Sequence, residues 1–223
     1  MSGKVERYNT VSRGFHWAVA VLILGLLIVG FFMDTIEPSP FKYQVYGWHK
    51  ATGIAVLFLG VCRIIWKHIT QTPESLSAYK QWEKILSKTI HIVLYVAIIA
   101  MPLSGWIMSS AGGYPISFFG LFEVPGIVSK GSELGKLAKE AHEIWAWIII
   151  GCVVLHIAGA LKHHILDKDT TLNRMGGNLI FAVFGLLALA IALSFPAREF
   201  IGELFSKGAV QEVPLQDSSD TSE

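Results

Sequence analysis

The chain has 223 residues, 52% of them hydrophobic and only 16% charged, with a formal net charge of +1 and a mean hydropathy of +0.51. A soluble domain carries nearer a quarter charged residues, so this composition points to a protein dissolved in a membrane. The charges fall in clusters with no basic helix or stripe, which excludes a nucleic-acid partner.

The first apolar segment runs from about Phe15 to Met33. From Trp17 onward it is longer than a signal-peptide core, holds no charge and is followed by no small-residue cleavage site, so it is expected to remain as a membrane span. A Ser39-Pro40 turn leads to a second segment, about Gly47 to Trp66, with Arg63 near its end. Thr72-Pro73 precedes the third, about Ile90 to Met108, which stops near Gly112-Gly113 and Pro115. The stretch from Tyr114 to Lys139 stays partly apolar, and is expected to lie along the membrane surface or to cap the bundle. The fourth segment covers about Ala141 to Leu161, and the fifth about Gly176 to Ala197. Each approaches the roughly 20 residues a helix needs to cross the hydrocarbon. Because lipid satisfies no backbone group, helices are the expected form.

The fold class expected is therefore all-α and integral to the membrane. A four-helix transmembrane bundle covers 1–175, and a fifth, C-terminal transmembrane helix covers 176–197. Residues 198–223, ending in the polar, acidic run Val210 to Glu223, are expected to be a disordered tail. The fifth segment contains no histidine and no charge, so it reads as an added packing helix. Cys62 and Cys152 lie within apolar runs and read as buried thiols. No Cys-x-x-Cys-His run is present, which excludes covalent c-type haem.

Lysine and arginine set the expected orientation. Eleven fall on the side of the N-terminus and seven on the other, which puts the N-terminus in the cytoplasm and the C-terminal tail outside.

Polar groups at membrane depth are costly and mark functional positions. His142 and His156 are 14 residues apart on the fourth span. That spacing is a rise of roughly 21 Å and a rotation about 40° short of four turns, so both rings leave one helix face near opposite membrane surfaces. His16 opens the first span at the depth of His156, and His49 opens the second at the depth of His142. The pairs His16–His156 (inner) and His49–His142 (outer) are each suited to clamp one non-covalent b haem. With both axial positions filled, such a centre suits electron transfer rather than oxygen chemistry. The competing reading is interfacial histidines wetted by headgroups, which is weakest for His156 among Val153, Val154, Leu155, Ile157 and Ala158.

Arg63, 14 residues after His49, either pairs with a haem propionate or extends to the inner headgroups. Gly53 and Gly159 leave room beside the rings. His91 opens the third span at the inner side; it binds a propionate, binds a quinone carbonyl, or replaces one of the four ligands. Lys162 and His163 place a cation and a proton-capable ring at the inner end of the fourth span. His164 reads as part of a solvated basic helix end, and His68 receives no role.

Several stretches together resemble the bacterial cytochrome b561 family, which includes b-type subunits of nickel–iron hydrogenases. They are Ser12-Arg13-Gly14-Phe15-His16-Trp17, Trp48-His49-Lys50 leading to Arg63, and His91 leading to Pro102 and Gly105. The clearest is Ala141-His142-Glu143 through Leu155-His156 to Lys162-His163-His164, ending Lys168-Asp169-Thr170-Thr171-Leu172. The resemblance covers about Arg7 to Met175. It implies a four-helix bundle in a bacterial inner membrane, two b haems and exchange of electrons with ubiquinone, for which Lys162 and His163 are the candidates to hold and protonate the quinone. Some members are similar to a superoxide:ubiquinone oxidoreductase. The electron donor would then be superoxide or a redox protein, and the lipid and the quinone the other partners. Charges on the two expected outer loops balance, so no positive funnel for superoxide is visible in the sequence. Two other readings remain beside this one: a haem-bearing membrane anchor of a dehydrogenase or hydrogenase complex, and a haem-free transporter or structural protein.

Overall fold

A computed structural model describes residues 7–73 and 80–176. The chain divides into Met1–Gly177 and Asn178–Glu223; the expected fifth span and the acidic tail lie outside the described residues. Four helices long and apolar enough to cross a membrane make up the described part: α1 (Thr10–Met33), α2 (Pro40–Ile69), α3 (Gln81–Gly112) and α4 (Leu134–Ile165). After α3 come two short strands, β1 (Ile116–Phe118) and β2 (Phe122–Val124), and after α4 a single turn of helix, α5 (Thr171–Arg174).

Each long helix extends past the apolar run that marks it in the sequence, by up to nine residues in α3 before Ile90. Hydrophobicity marks only the part covered by lipid, whereas caps set the true ends. Asn9 accepts from Ser12 N–H at 2.8 Å and starts α1. Ser39 accepts from Lys42 N–H at 3.2 Å with Pro40 behind it, starting α2. Glu83 accepts from Lys80 N–H at 2.9 Å at the head of α3. Gly113 closes α3 in the left-handed conformation (φ 73°), with Tyr114 N–H donating to Ser109 O at 2.9 Å.

The helices alternate in direction, and side-chain bonds tie their ends together. At the end where α1 starts, Trp66 of α2 donates to Asn9 Oδ1 at 3.2 Å, and Lys162 of α4 meets Glu83 of α3 at 2.5 Å. Trp17 donates to Met175 O at 2.9 Å, so the segment after α4 turns back under α1. At the opposite end, Lys50 of α2 donates to Ser109 Oγ of α3 at 3.3 Å and to Pro115 O at 3.0 Å. These will be called the N end and the hairpin end.

Helices α3 and α4 make the most extensive contact, followed by α1 with α2 and α2 with α3. Two glycines set how close backbones come. A Cβ on Gly60 would lie 2.0 Å from Ile98 Cγ2, and one on Gly135 would lie 2.6 Å from Ala111 Cβ. Few of the described residues are buried: Val19 is the one buried residue of α1, while Phe58, Ile65, Ile92, Ile144 and Trp147 are exposed. Burial of that kind fits a bundle whose outer surface is solvated by lipid tails.

The expectation of an all-α chain needs one correction. The partly apolar stretch after α3 is an antiparallel hairpin, with Ile116 opposite Val124 and Phe118 opposite Phe122. Ile116 is 4% exposed and β1 packs on α2, so the base of the hairpin caps that end of the bundle. Alternation of side chains along a strand buries Ile116, which a helix through this stretch would not pair with Val124.

Candidate functional site

Imidazoles gather at two depths. Toward the N end, the His16 ring of α1 lies 6.2 Å from that of His156 on α4, centroid to centroid. His91 of α3 joins them, 5.0 Å from His156 and edge-on to it. Helices α1 and α4 are not among the closely packed pairs, so side chains bridge them: His16 to His156, and Phe31 to Trp147 at 5.4 Å. Arg63 of α2 is within electrostatic reach of all three rings. Its guanidinium is 5.8 Å from the Tyr95 ring centroid, and its buried Nη1 has no hydrogen-bond partner among the described residues.

His91 Nδ1 lies 2.6 Å from Ser87 O, one turn back on its own helix. A carbonyl only accepts, so Nδ1 carries the proton and Nε2 is left basic.

Toward the hairpin end stand His49 of α2 and His142 of α4. His142 Nδ1 donates to Met101 O at 3.0 Å, and Ser104 Oγ is 3.1 Å away while itself donating to Met101 O at 2.7 Å. Its Nε2 is therefore also left basic, the arrangement that orients a metal-binding imidazole. The seat comes from Met101, Ser104 and Gly105 of α3. A Cβ on Gly105 would approach His142 Cε1 to 3.0 Å, and one on Gly30 would approach His49 Cε1 to 3.3 Å. At Gly53 and Gly159, which the sequence marked as room beside the rings, an added Cβ meets nothing within 4 Å. The glycines touching imidazoles are thus Gly30 and Gly105. His49 Nδ1 is buried without a partner among the described residues.

Beyond the N-end imidazoles lies a charged network. Lys162 bridges Glu83 at 2.5 Å and Asp167 at 2.8 Å, and His163 Nδ1 lies 2.7 Å from Asp167 and 3.4 Å from Asp169. Hydrogen bonds from Lys162, and then from His163, hold the Asp167 carboxyl below the ordinary aspartate range. Donor atoms of His163, Asp167 and Asp169 lie within 4.8 Å of one another. The Lys162 ammonium already supplies a cation there.

Glu83, Asp167, Ser87 and Ser104 escape a reading of the sequence. Glu83 and Lys162 are 79 positions apart, and nothing local announces their pairing. Ser104 leaves a fainter signal, as a polar residue between Pro102 and Gly105 inside an apolar span.

A family profile described as prokaryotic cytochrome b561 matches residues 7–178, which include both groups of histidines and the charged network. The chain belongs to the prokaryotic cytochrome b561 family. "Cytochrome b561 homolog 2" of Escherichia coli (strain K12) is 34% identical over 173 residues, covering 77% of this chain and 92% of that protein. "Cytochrome b561 homolog 1" of the same organism is 36% identical over 175 residues, covering 77% and 97%. "Probable superoxide oxidase CybB" of Yersinia pestis is 28% identical over 172 residues, covering 76% and 96%. All three alignments span nearly the whole relative and about three quarters of this chain.

As a cytochrome b561 family member the chain is a multi-pass membrane cytochrome of electron transport, and the family implies b-type haem. The residues present fit that group. His142 and His91 have Nδ1 committed to a carbonyl, His49 has an unpartnered buried nitrogen, and Arg63 has an unpartnered buried N–H suited to a carboxylate.

Proposed function

We propose that the protein carries two b haems, one held by His16 and His156 and the other by His49 and His142, and passes electrons between them to ubiquinone. The observation that carries this reading is that α4 contributes one histidine to each of two groups near opposite ends of a single bundle. Bound haem supplies reversible one-electron storage at each depth. Met101 O and Ser104 fix the His142 tautomer and ring plane. Arg63 neutralises a propionate at the N end. His91 supports that end as a neighbour of His156, with Ser87 O fixing its tautomer.

Quinone is reduced beside the charged network, in this reading. Reduction takes up two electrons and two protons. Lys162 holds the developing negative charge on a quinone oxygen, and His163 delivers a proton to it. Asp167 and Asp169 keep the His163 ring in place. The N end faces the cytoplasm by the lysine and arginine asymmetry, in the bacterial inner membrane. The donor is a one-electron reductant reaching the hairpin end. For superoxide the balance is two superoxide plus one quinone plus two protons, giving two dioxygen and one quinol. The name of the Yersinia pestis relative supports this choice.

The test is ubiquinone reduction by purified full-length protein in liposomes, supplied with a steady enzymatic source of superoxide. Quinol forming at half the rate of superoxide loss supports the reading. Superoxide lost at its uncatalysed rate, with no quinol formed, contradicts it and favours an anchor role, checked by isolating the protein with a peripheral redox subunit attached.

A further inference from the structure

The hairpin between α3 and α4 has two unlike faces. Ile116, Phe118, Phe122 and Val124 lie on one, and Ser117 and Glu123 on the other. The apolar face is rooted in the protein by Ile116, with Phe118 and Val124 half-buried beside it, and exposure rises toward the tip. Phe122 is 57% exposed and stacks on Phe118 at 5.1 Å. At the turn, Phe119 is 52% and Leu121 77% exposed.

The turn is an unusual place for a phenylalanine. Leu121 N–H closes it on Phe118 O at 3.0 Å, and both central residues, Phe119 (φ 52°) and Gly120 (φ 79°), are left-handed. That conformation favours glycine or asparagine at each position, and a bulky side chain there is strained. Strain of this kind persists where the surroundings impose it, and here it puts an aromatic ring at the tip.

The base is held firmly. Trp106 donates to Pro125 O at 2.9 Å, Lys50 to Pro115 O at 3.0 Å, and Gly131 N–H to Ala111 O at 2.8 Å. Strands of three residues extend only about 10 Å. The tip therefore stays close to the end of α3, within reach of a headgroup zone about 5–8 Å deep. From Tyr114 to Gly126 Glu123 is the single charged residue, against four aromatic ones. Tyr43, Trp48 and Tyr114 are exposed at the same end, where aromatic side chains collect at membrane interfaces.

The geometry points to the hairpin tip (Phe119, Leu121 and Phe122) as an anchor inserted into the headgroup region of the leaflet at the hairpin end. Its occupant is phospholipid, because the exposed apolar tip stands at the end where exposed Tyr43, Trp48 and Tyr114 collect, and it has no charge with which to select a protein partner. Ser117 and Glu123 on the other face stay in water. Anchored in this way, the segment from Pro115 to Pro125 stays at a fixed height over the His49 and His142 end of the bundle.

The test uses the full chain with Cys62→Ala and Cys152→Ala, spin-labelled at Leu121→Cys, at Phe119→Cys or, as the opposite-face control, at Glu123→Cys. Each protein is placed in phosphatidylcholine–phosphatidylglycerol liposomes and checked for native helicity by circular dichroism. Power-saturation spectroscopy then compares access by oxygen, which prefers lipid, with access by a water-soluble nickel complex. The oxygen-to-nickel ratio should be severalfold higher at Leu121 and Phe119 than at Glu123. Equal, water-like ratios at all three positions would overturn the proposal. So would dipolar broadening between Leu121 labels on different copies, which would assign the surface to self-association.

Discussion

The two ends of the bundle each bring histidines together, but they surround them differently. At the hairpin end, His142 is seated by a backbone carbonyl, a serine hydroxyl and a glycine. At the N end, three imidazoles stand beside Arg63, and a network of Glu83, Lys162, Asp167, His163 and Asp169 gathers beyond them. The contrast teaches that ligand positions alone do not define a redox protein's chemistry. An electron needs no proton-carrying groups to enter, whereas a quinone needs them to leave as quinol. In the proposed reading, the N end, where this network of proton-carrying side chains gathers, is where electrons leave to quinone.

The largest effect should come from splitting the ends through α4. His156→Ala should remove the haem at the N end and leave the other, and His142→Ala should do the reverse, each lowering haem content by about half. Low-temperature difference spectra of the two variants should be complementary. Loss of both haems from either variant would show that the ends are not independent.

Next in size, Lys162→Ala and His163→Ala should slow reoxidation of the reduced protein by ubiquinone by about 100-fold or more, the range for loss of a placed proton donor. The haem spectrum should not change. Stopped-flow mixing with quinol-free ubiquinone reads this directly, and unchanged rates in both variants would move the quinone to the hairpin end.

How far the sequence reveals these two ends depends on the range of the interactions. The histidines are legible because a 14-residue spacing and position within a span are local facts, and the structure then sets His16 and His156 at 6.2 Å. The four described spans are legible for the same reason, although their caps carry the helices beyond the apolar runs. The hairpin is not. Phe118-Phe119-Gly120-Leu121-Phe122 lacks the Asn-Gly or Asp-Gly signal of a tight turn, and its apolar residues blend with the span before it. The Glu83–Lys162 pair joins the head of α3 to the tail of α4, a contact that only tertiary packing creates. The sequence alone leaves His91 several roles because its depth is that of the inner pair; the Ser87 bond and the 5.0 Å approach to His156 are visible only in the folded chain.

Smaller changes sharpen the comparison. Ser104→Ala removes one bond at the His142 seat and should weaken haem retention at the hairpin end about 10-fold, the low end for a group supporting a metal ligand. Its effect at the N end should be nil, as measured by haem transfer to apomyoglobin resolved by the two spectra.

The smallest effect concerns acid stability. Asp167 is held below its ordinary range in the folded protein by Lys162 and then His163. Its contribution to stability is therefore complete above the unfolded aspartate value and disappears as pH falls through the lower folded value. Asp167→Asn should flatten the acid limb of thermal stability below about pH 4. An exposed pair of this kind shifts the midpoint only slightly. An acid limb identical to that of the parent would show that the network does not stabilise the N end.

The central claim, two haems clamped at two depths by four histidines, is tested most directly by haem stoichiometry. Full-length protein from haem-supplemented cells should give two b haems per chain in the pyridine haemochrome assay, with both irons low-spin and bis-imidazole by electron paramagnetic resonance. A ratio of one, or a high-spin iron with an open position, would contradict the account.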